Sequence, residues 1–384
     1  MREIVILHVF RDEKFFDSVA DFFDSLKGVR NIYALYSYTK SISFKYIKNI
    51  ERVDVYTDYK QYVSLFSSPE IQIIYFQSLP PMYYKWFKYI GKDKLVFWWC
   101  FGYEIYSSIS FLSPLINIDL YKPLTKKYQK KYILKDLVLK IYQTIKYPYY
   151  SLFRAKIINR IDYFTPVLPD EYYLLKDRCS YFKAKPFALY GGPEIEKHAE
   201  YSYHENSGNI LLGNSLTYTN NHLDILKKLQ DCDIDNFRKI YVPMSYGNAY
   251  KCGRDLKKFV LNRSFSFVWL DSFLPYEQYV EMFSSITHAV FGVVRQQSMG
   301  NIFICLSRGI KVFLYKDSIV YRYLKNKGYT VFTIDEDLNT LGLNSILSYQ
   351  ESRNNYELAF PKNTDKKEKY EKDLADVLSG KLIR

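Results

Sequence analysis

The stretch ILLGNSLTYTNNHLDILKKL, residues 210–229, contains the pattern that decides the fold. It begins with a short apolar run, Ile210–Leu212, and the residues that follow are small and polar. Leucines then recur at helical spacing, at Leu223, Leu226 and Leu229. A short buried strand that leads through a polar loop into an amphipathic helix is the repeating unit of a parallel α/β sheet. We therefore predict a strand, a loop and a helix here.

The same alternation repeats on both sides of this stretch. Apolar runs predict further strands at residues 240–242, 267–270, 289–294, 311–315 and 330–334. Earlier in the chain they predict strands at residues 4–10, 32–38, 71–76 and 95–100, with a helix over residues 15–26. The 384 residues are enough for two such arrays, each with its own core.

We therefore predict an α/β protein with two Rossmann-like domains that face each other across a cleft. The first domain is expected to span residues 1–190, and the GGP sequence at residues 191–193 indicates a hinge over residues 191–208. The second domain is expected over residues 209–345. A C-terminal helical segment, residues 346–384, is expected to pack back on the first domain. Such a pair of domains suits a ligand held between them.

Composition excludes several classes of protein. The longest apolar run, residues 95–101, is far shorter than the roughly 18–20 residues of a membrane-spanning helix. The N-terminus, MREIVILHVF, enters a strand-like run at once, so we expect no secretory signal. The five cysteines form no CxxC pair and the five histidines are scattered, which indicates a reducing cytoplasm, no metal site and no other cofactor. Motifs of hydrolases, zinc proteases, P-loop NTPases and dinucleotide dehydrogenases are absent from the sequence.

The acidic runs at residues 231–235 and 335–337 are interpreted as a solvated turn and a helix cap rather than as metal ligands.

Positive charge is concentrated in one segment. The chain carries a net charge of +13, and residues 121–160 hold eleven Lys or Arg against Asp136 alone. Tyrosines and aliphatic residues alternate with these lysines, which is typical of a segment that lies on an anionic membrane surface. We expect the membrane-facing residues to include Lys126, Lys127, Lys130 and Lys131. A solvated helical surface and a nucleic-acid interface are the alternatives.

Three predicted loops of the second domain follow the carboxyl ends of strands, where open parallel sheets bind ligands. They contain small and polar residues: Gly213, Asn214 and Ser215 in the first loop, Met244, Tyr246 and Gly247 in the second, and Arg295, Gln296, Gln297 and Gly300 in the third. The third loop leads into a helix, whose N-terminus suits phosphate, while the planar guanidinium of an arginine suits a diphosphate. The two glutamines could hydrogen-bond sugar hydroxyls.

Candidate catalytic residues lie at strand ends of the first domain. Glu104 follows the apolar run WWCFG, Asp12 follows the first strand, and His8 lies within that strand. A carboxylate at such a position could act as general base toward an acceptor hydroxyl. A helix cap is the alternative for Asp12, and a buried core histidine is the alternative for His8.

Several segments resemble glycosyltransferase family 56, the TDP-N-acetylfucosamine:lipid II N-acetylfucosaminyltransferase family. They are LLGNSLTYTNNHLDILKKL (211–229), YVPMSYGNAY (241–250), FGVVRQQSMGNIFICLSRGIKVFL (291–314), FWWCFGYEIYSS (97–108) and LHVF (7–10). The resemblance is specific in the GNS, VPM-Y and RQQ-G blocks and thin over residues 30–90 and 110–200. Glu104 stands where the family segment has Asp, which keeps the carboxylate but lengthens its reach.

The resemblance implies a GT-B fold in which the C-terminal domain binds the nucleotide sugar without a metal ion and the N-terminal domain binds the acceptor. The GNS loop would then line the phosphate and sugar, the second loop the nucleotide, and the third loop the diphosphate and sugar.

We therefore expect a hexosyltransferase that uses a TDP- or UDP-sugar, with 4-acetamido-4,6-dideoxygalactose as a candidate sugar. The expected acceptor is a polyprenyl-diphosphate-linked saccharide of surface polysaccharide synthesis, such as O-antigen or capsule, at the cytoplasmic face of the bacterial inner membrane. The alternatives are a nucleic-acid-binding protein and a nucleotide-sugar epimerase with a similar fold.

Overall fold

The computed structural model describes residues 3–11, 16–39, 43–106, 115–146, 148–188, 201, 203, 208–233, 238–247, 249–261, 265–272, 274, 276–359 and 366–380. The chain divides into two compact units. Unit 1 comprises Met1–Asn117, Leu137–Glu194 and Lys362–Arg384, and unit 2 comprises Ile118–Asp136 and Ile195–Pro361. Most of the predicted hinge, residues 191–208, lies outside the described residues.

Unit 1 contains a seven-stranded parallel sheet. Its strands are β1 (Ile4–Val9), β2 (Val29–Tyr36), β3 (Val53–Tyr56), β4 (Ile73–Gln77), β5 (Leu95–Cys100), β6 (Tyr163–Pro166) and β7 (Lys185–Pro186). They lie in the order β3-β2-β1-β4-β5-β6-β7, and every neighbouring pair is parallel. The strand order reverses between β1 and β4, which is the position where an open α/β sheet forms a crevice.

Unit 2 contains a six-stranded parallel sheet. Its strands are β8 (Asn209–Leu212), β9 (Lys239–Pro243), β10 (Ser266–Leu270), β11 (Ile286–Phe291), β12 (Lys311–Leu314) and β13 (Phe332–Thr333). They lie in the order β10-β9-β8-β11-β12-β13, again all parallel. The reversal of strand order falls between β8 and β11. The predicted pair of Rossmann-like α/β domains is confirmed by these two sheets.

The helices connect successive strands or cap the units. They are α1 (Phe16–Asp24), α2 (Tyr59–Ser64), α3 (Tyr103–Tyr106), α4 (Pro123–Gln129), α5 (Ile133–Lys146), α6 (Pro148–Asn159), α7 (Pro169–Arg178), α8 (His222–Gln230), α9 (Arg254–Val260), α10 (Tyr276–Met282), α11 (Met299–Ser307), α12 (Ile319–Asn326), α13 (Thr340–Asn344), α14 (Tyr349–Ala359) and α15 (Lys366–Leu378). A 3-10 helix, Pro81–Tyr89, follows β4.

Helical spacing explains the core of unit 1. Helix α1 buries Phe16, Val19, Ala20 and Phe23, which recur on one face of a helix and pack toward the sheet. The C-terminal helix α15 adds Tyr370, whose ring meets those of Phe22 and Phe23 edge to face. Helix α15 therefore belongs to unit 1, whereas α14 belongs to unit 2, so the segment 346–384 is shared between the units.

The basic segment over residues 121–160 does not lie within one domain. Residues 118–136 pack in unit 2, and the remainder of the segment belongs to unit 1. Leu124 and Tyr128 of α4 pack against the apolar core of unit 2, beside residues such as Leu226. The burial of these side chains is the physical reason for the difference from the prediction, which assigned the whole segment to the first domain.

Candidate functional site

The loops after β8 and β11 meet at the point where the strand order of unit 2 reverses. The first covers residues 213–221 and the second covers residues 292–298. Asn221 Nδ2 donates a 2.6 Å hydrogen bond to the Gly292 carbonyl oxygen, which joins the two loops. Two of the three predicted ligand loops therefore come together at the crevice position of the sheet.

Gly292 permits this close approach. A Cβ atom at residue 292 would lie 2.3 Å from the Asn220 carbonyl oxygen and 2.7 Å from Ile225 Cδ1. Both distances are far below van der Waals contact, so a side chain here would push the two loops apart. A Cβ atom at Gly300 would meet no atom within 4 Å, so space does not demand glycine there.

Gln297 fixes the shape of the first loop. Its Nε2 donates to Thr217 Oγ1 at 3.1 Å and to Asn214 Oδ1 at 3.5 Å, while its Oε1 accepts from Thr219 Oγ1 at 2.7 Å. Ser215 Oγ adds a 3.2 Å bond to Asn214 Oδ1. Both polar atoms of the Gln297 amide thus have partners within the protein, so its principal role is to order the loop.

Two buried polar atoms just before α11 have no partner in the part of the chain that the structure describes. Ser298 precedes this helix in a left-handed backbone conformation with φ of 65°. Its side chain is only 8% exposed and that of Gln296 only 9%, yet Ser298 Oγ and Gln296 Oε1 have no hydrogen-bond partner among the described residues. The first N–H groups of any helix also lack intrahelical partners. Arg295, half-buried beside them, donates through Nη1 to the Gln296 carbonyl oxygen at 2.8 Å.

This arrangement suits an anion with hydroxyl groups. The helix N-terminus and a guanidinium favour negative charge, and a buried hydroxyl and amide that lack partners favour a ligand that supplies them.

The loop after β9 joins the same edge of the sheet. The Leu216 amide donates a 2.7 Å hydrogen bond to the Tyr246 carbonyl oxygen. Gly247 has φ of 115°, and a Cβ atom there would lie 2.4 Å from the Leu216 carbonyl oxygen. The Tyr246 side chain is exposed. Met244, in contrast, is buried in the core beside Val242, so the structure gives it a packing role rather than a position open to a nucleotide.

A buried aspartate missed by the sequence analysis supports these loops. Tyr218 OH donates to Asp255 Oδ2 at 2.8 Å, and Tyr132 OH lies 3.4 Å from the same carboxylate. Arg254 Nη2 in turn donates to Tyr132 OH at 2.8 Å. Burial, followed by the neighbouring Asp255, raises the pKa of Tyr218 well above its ordinary value, so this hydroxyl stays protonated. The sequence signal was an aspartate at the first turn of a helix, which is also the pattern of an ordinary helix start.

The segment 118–136 is attached to the same loops through backbone hydrogen bonds. Asn221 Oδ1 accepts from the Lys122 amide at 2.8 Å. The Asp224 carboxylate accepts from the amides of Leu124 at 2.8 Å and Thr125 at 2.7 Å, so it caps the N-terminus of α4. A groove of about 570 Å³ beside this helix is lined mainly by lysines and by Asp119 and Asp317.

The four lysines predicted to face a membrane differ in their surroundings. Lys126 Nζ forms an ion pair with Asp119, and Lys131 Nζ lies 3.9 Å from the centre of the Tyr128 ring. Lys127 and Lys130 line the groove.

In unit 1, Glu104 lies buried next to the carboxyl ends of β4 and β5. Its side chain is 5% exposed, and Oε1 accepts hydrogen bonds from the Leu79 amide at 3.1 Å and from Trp98 Nε1 and the Phe101 amide at 3.4 Å each. Oε2 lies 3.9 Å from Cys100 Sγ. Burial raises the pKa of Glu104 to about 7, although these hydrogen bonds oppose the shift. The carboxyl group can therefore take up or release a proton near neutral pH.

His8 is a residue of the core. Its ring lies 4.7 Å from that of Tyr33 and 4.6 Å from that of Phe23, and its Nε2 lies 3.0 Å from Asn31 Oδ1. Complete burial lowers the pKa of His8 to about 4, so the imidazole is neutral. This enclosed position is unsuited to contact with an acceptor. Asp12 lies outside the described residues.

Among the described residues, no group of three or more His, Cys, Asp or Glu is placed to hold a metal ion. Within the same ranges, no helix has the length and hydropathy needed to cross a membrane.

Comparison with solved structures identifies the fold. Lipopolysaccharide outer core galactosyltransferase WaaB matches with a TM-score of 0.59 at 10% identity, over 98% of this chain and 100% of that chain. HepE from Anabaena in complex with UDP-glucose matches with a TM-score of 0.57 at 10% identity and the same coverage of both chains. An α,α-trehalose-phosphate synthase (UDP-forming) from Burkholderia vietnamiensis matches with a TM-score of 0.61 at 10% identity, over 98% of this chain and 100% of that chain. The chain has the GT-B fold of glycosyltransferases.

The family follows from the sequence itself. Residues 142–375, more than half of the chain, match the model of 4-alpha-L-fucosyltransferase glycosyl transferase group 56. The chain belongs to this family and is a glycosyltransferase. No curated protein sequence matches it significantly. Family membership favours the predicted transferase over the epimerase and nucleic-acid-binding alternatives.

Proposed function

We propose that the chain is a hexosyltransferase that takes a sugar from a nucleoside diphosphate, and that unit 2 binds this donor. The observation that carries the proposal is the start of α11, where Gln296 Oε1 and Ser298 Oγ are buried beside Arg295 and have no partner within the described ranges. Phosphate oxygens would accept from the helix N–H groups and the guanidinium, and the Gln296 amide oxygen could accept from a sugar hydroxyl.

The remaining donor-site residues have separate roles in this proposal. Backbone and side-chain groups of Gly213, Asn214 and Ser215 border the phosphate and sugar, and Gln297 holds that loop in shape. Tyr246 and Gly247 lie on the nucleotide side. Gly300, in the first turn of α11, leaves room for the diphosphate. Met244 contributes by packing beneath the loop rather than by contact.

Glu104 is the proposed general base for the acceptor hydroxyl. A pKa of about 7 is close to the value that makes a carboxylate an efficient base at neutral pH. Three donors occupy Oε1, so Oε2 is the oxygen proposed to accept the proton. We leave His8 out of this role because of its position in the core, and Asp12 stays a prediction.

The proposed acceptor is a polyprenyl-diphosphate-linked saccharide, and the proposed location is the cytoplasmic face of the inner membrane. The excess of positive charge over residues 121–160 supports an anionic, membrane-bound partner. The candidate sugar is 4-acetamido-4,6-dideoxygalactose, transferred without a bound metal because helix dipole and arginine neutralise the leaving diphosphate. The complex of HepE with UDP-glucose makes UDP a candidate nucleotide of the donor beside TDP.

Thermal unfolding with a panel of nucleoside diphosphates tests donor binding. A ligand at 100 times its Kd stabilises the folded state by about 2.7 kcal/mol, so TDP or UDP should raise the Tm by several degrees. Inorganic phosphate at equal concentration is the control for non-specific anion effects. An unchanged Tm with every nucleoside diphosphate contradicts the proposal.

Replacement of Arg295 by alanine tests the diphosphate contact. Loss of one well-placed charge donor costs about 3–4 kcal/mol of transition-state stabilisation, or a decrease in turnover on the order of a hundredfold or more. Arg322→Ala, which removes an exposed arginine of α12, is the matched control. Near-normal turnover of the Arg295→Ala enzyme would show that the diphosphate is held elsewhere.

A further inference from the structure

Exposed apolar side chains are concentrated around one helix. Of the seventeen large apolar side chains exposed in the described part of the chain, eight lie between residues 134 and 153. Seven of them belong to α5, including Leu134 at 79%, Val138 at 64% and Ile145 at 74% exposure. A soluble surface normally carries such residues singly, so a group of this size indicates a binding surface.

Five of the seven exposed apolar residues of α5 share one face. Leu134, Val138, Ile141 and Ile145 follow each other at intervals of three or four residues, and Leu137 lies beside them at the same spacing. Side chains at these intervals project from the same side of a helix. We call these five residues the apolar face of α5.

The length of α5 determines how it could contact a bilayer. Its 14 residues extend about 21 Å at about 1.5 Å per residue, short of the roughly 30 Å hydrocarbon core. A short helix with an apolar face lies in the plane of the interface instead of crossing it.

The positive charge around α5 indicates what kind of surface binds to this face. The helix lies in the segment with eleven basic residues and one acidic residue. A second copy of the chain would bring the same positive charge against itself, whereas an anionic lipid surface offers the complementary charge. We propose that the apolar face of α5 inserts into the headgroup region of an anionic membrane. This inference rests on the proposed function, because it supplies the contact that brings the enzyme to a lipid-linked acceptor.

Apolar side chains of α5, rather than lysines, then dominate membrane binding. Insertion of one Leu, Ile or Val side chain into the apolar part of the interface is expected to raise the affinity for the membrane about tenfold. Lysines contribute mainly to the attraction that salt screens. Binding should therefore weaken with salt but persist in part.

Flotation with lipid vesicles tests the inference on the full-length enzyme. The vesicles are either a mixture of phosphatidylglycerol and phosphatidylcholine or phosphatidylcholine alone, each at low and high salt. The double variant Val138→Gln/Ile145→Gln removes two apolar contacts and keeps a good helix former at both positions. The matched control, Leu261→Gln/Leu341→Gln, alters two side chains that are also exposed, 76% and 82%.

The expected result is a decrease of at least tenfold in the affinity of the α5 double variant for anionic vesicles, with the control variant within twofold of the original enzyme. Circular dichroism and thermal unfolding establish that both variants fold. Equal flotation of the folded α5 variant and the original enzyme overturns the inference. A change of oligomeric state without a change in flotation also overturns it, because the face would then join two copies.

This experiment is independent of donor chemistry. Flotation requires neither donor nor acceptor, whereas the proposed function fails if no nucleoside diphosphate stabilises the protein. The α5 variant should still be stabilised by TDP or UDP. Flotation therefore tests the membrane contact, and thermal unfolding tests the proposed function separately.

Discussion

Replacing Glu104 by glutamine should stabilise the protein, and the gain should grow with pH. Glutamine has the shape of glutamate and keeps an oxygen where Oε1 accepts from Leu79, Trp98 and Phe101. Its amide nitrogen would stand where Oε2 faces Cys100, whose pKa is raised well above its ordinary value so that the thiol stays protonated. The substitution therefore removes the buried negative charge with little change in packing.

The magnitude follows from the pKa of Glu104 in the two states. Burial raises this pKa from 4.5 to about 7 in the folded protein. Below pH 4.5 the carboxyl is protonated in both states, so its favourable contribution is fully present. Between pH 4.5 and 7 the unfolded state releases the proton while the folded state keeps it, so stability falls as pH rises. At about 1.36 kcal/mol per pKa unit, the loss is about 3 kcal/mol and is complete above pH 7.

Urea unfolding at several pH values between 4.5 and 8 measures this difference. Trp98 is fully buried beside Glu104, so tryptophan fluorescence reports the unfolding of this region. The difference in unfolding free energy between variant and original should be near zero at pH 4.5 and approach about 3 kcal/mol at pH 8, since all other groups cancel. Glu281→Gln, at an exposed position of α10, is the control. A difference that does not depend on pH would refute the reasoning.

The same variant also tests the catalytic proposal. If Oε2 of Glu104 accepts the proton of the acceptor hydroxyl, glutamine should lower kcat by two to four orders of magnitude, in keeping with the roughly 10²–10⁴-fold effect of general bases. Stability would rise while activity falls. A stabilised variant with normal kcat would place the base elsewhere and leave Glu104 with a structural role only.

Five further substitutions test the donor loops. Gly292→Ala should lower the Tm by several degrees and weaken nucleoside diphosphate binding. Gly300→Ala should leave the Tm unchanged or slightly raised, because a Cβ atom there meets no atom within 4 Å. Thermal unfolding with and without UDP measures both effects. Asn221→Ala removes the hydrogen bonds of both Oδ1 and Nδ2. It should lower the unfolding free energy measured in urea by about 2–3 kcal/mol. Asp255→Asn should raise the donor KM more than it lowers kcat, since its bond to Tyr218 orders the loop; Tyr218→Phe should reproduce the effect in steady-state kinetics.

The fold was predictable because its determinants are local. The run Ile210–Leu212, the polar loop and the leucines of α8 are visible within twenty residues, and the structure has β8 over Asn209–Leu212 and α8 over His222–Gln230. Parallel strands put their carboxyl ends at one edge of the sheet, so the sequence alone is enough to group the loops. The loops 213–221 and 292–298 lie next to each other because their strands, β8 and β11, are neighbours in the sheet.

Residue roles within the loops were harder to predict, because they depend on which direction a side chain takes. Met244 and Gln297 stand among polar and small residues in sequence, yet the first enters the core and the second bonds within the loops. Asp255 looks like an ordinary residue of a helix start, and only the fold brings Tyr218 and Tyr132 to it. Contacts between residues 37 and 123 positions apart leave no local pattern.

The distribution of positive charge has a consequence for experiments on membrane binding. Six of the eleven basic residues in 121–160 precede residue 137 and so lie in unit 2, where Lys122 pairs with Asp317 and Lys126 with Asp119. Reversal of charge at Lys126 would therefore disturb the packing of α4 as well as any attraction to lipid. Substitution at Val138 and Ile145 leaves these ion pairs intact, so it separates membrane contact from the integrity of the donor-binding unit.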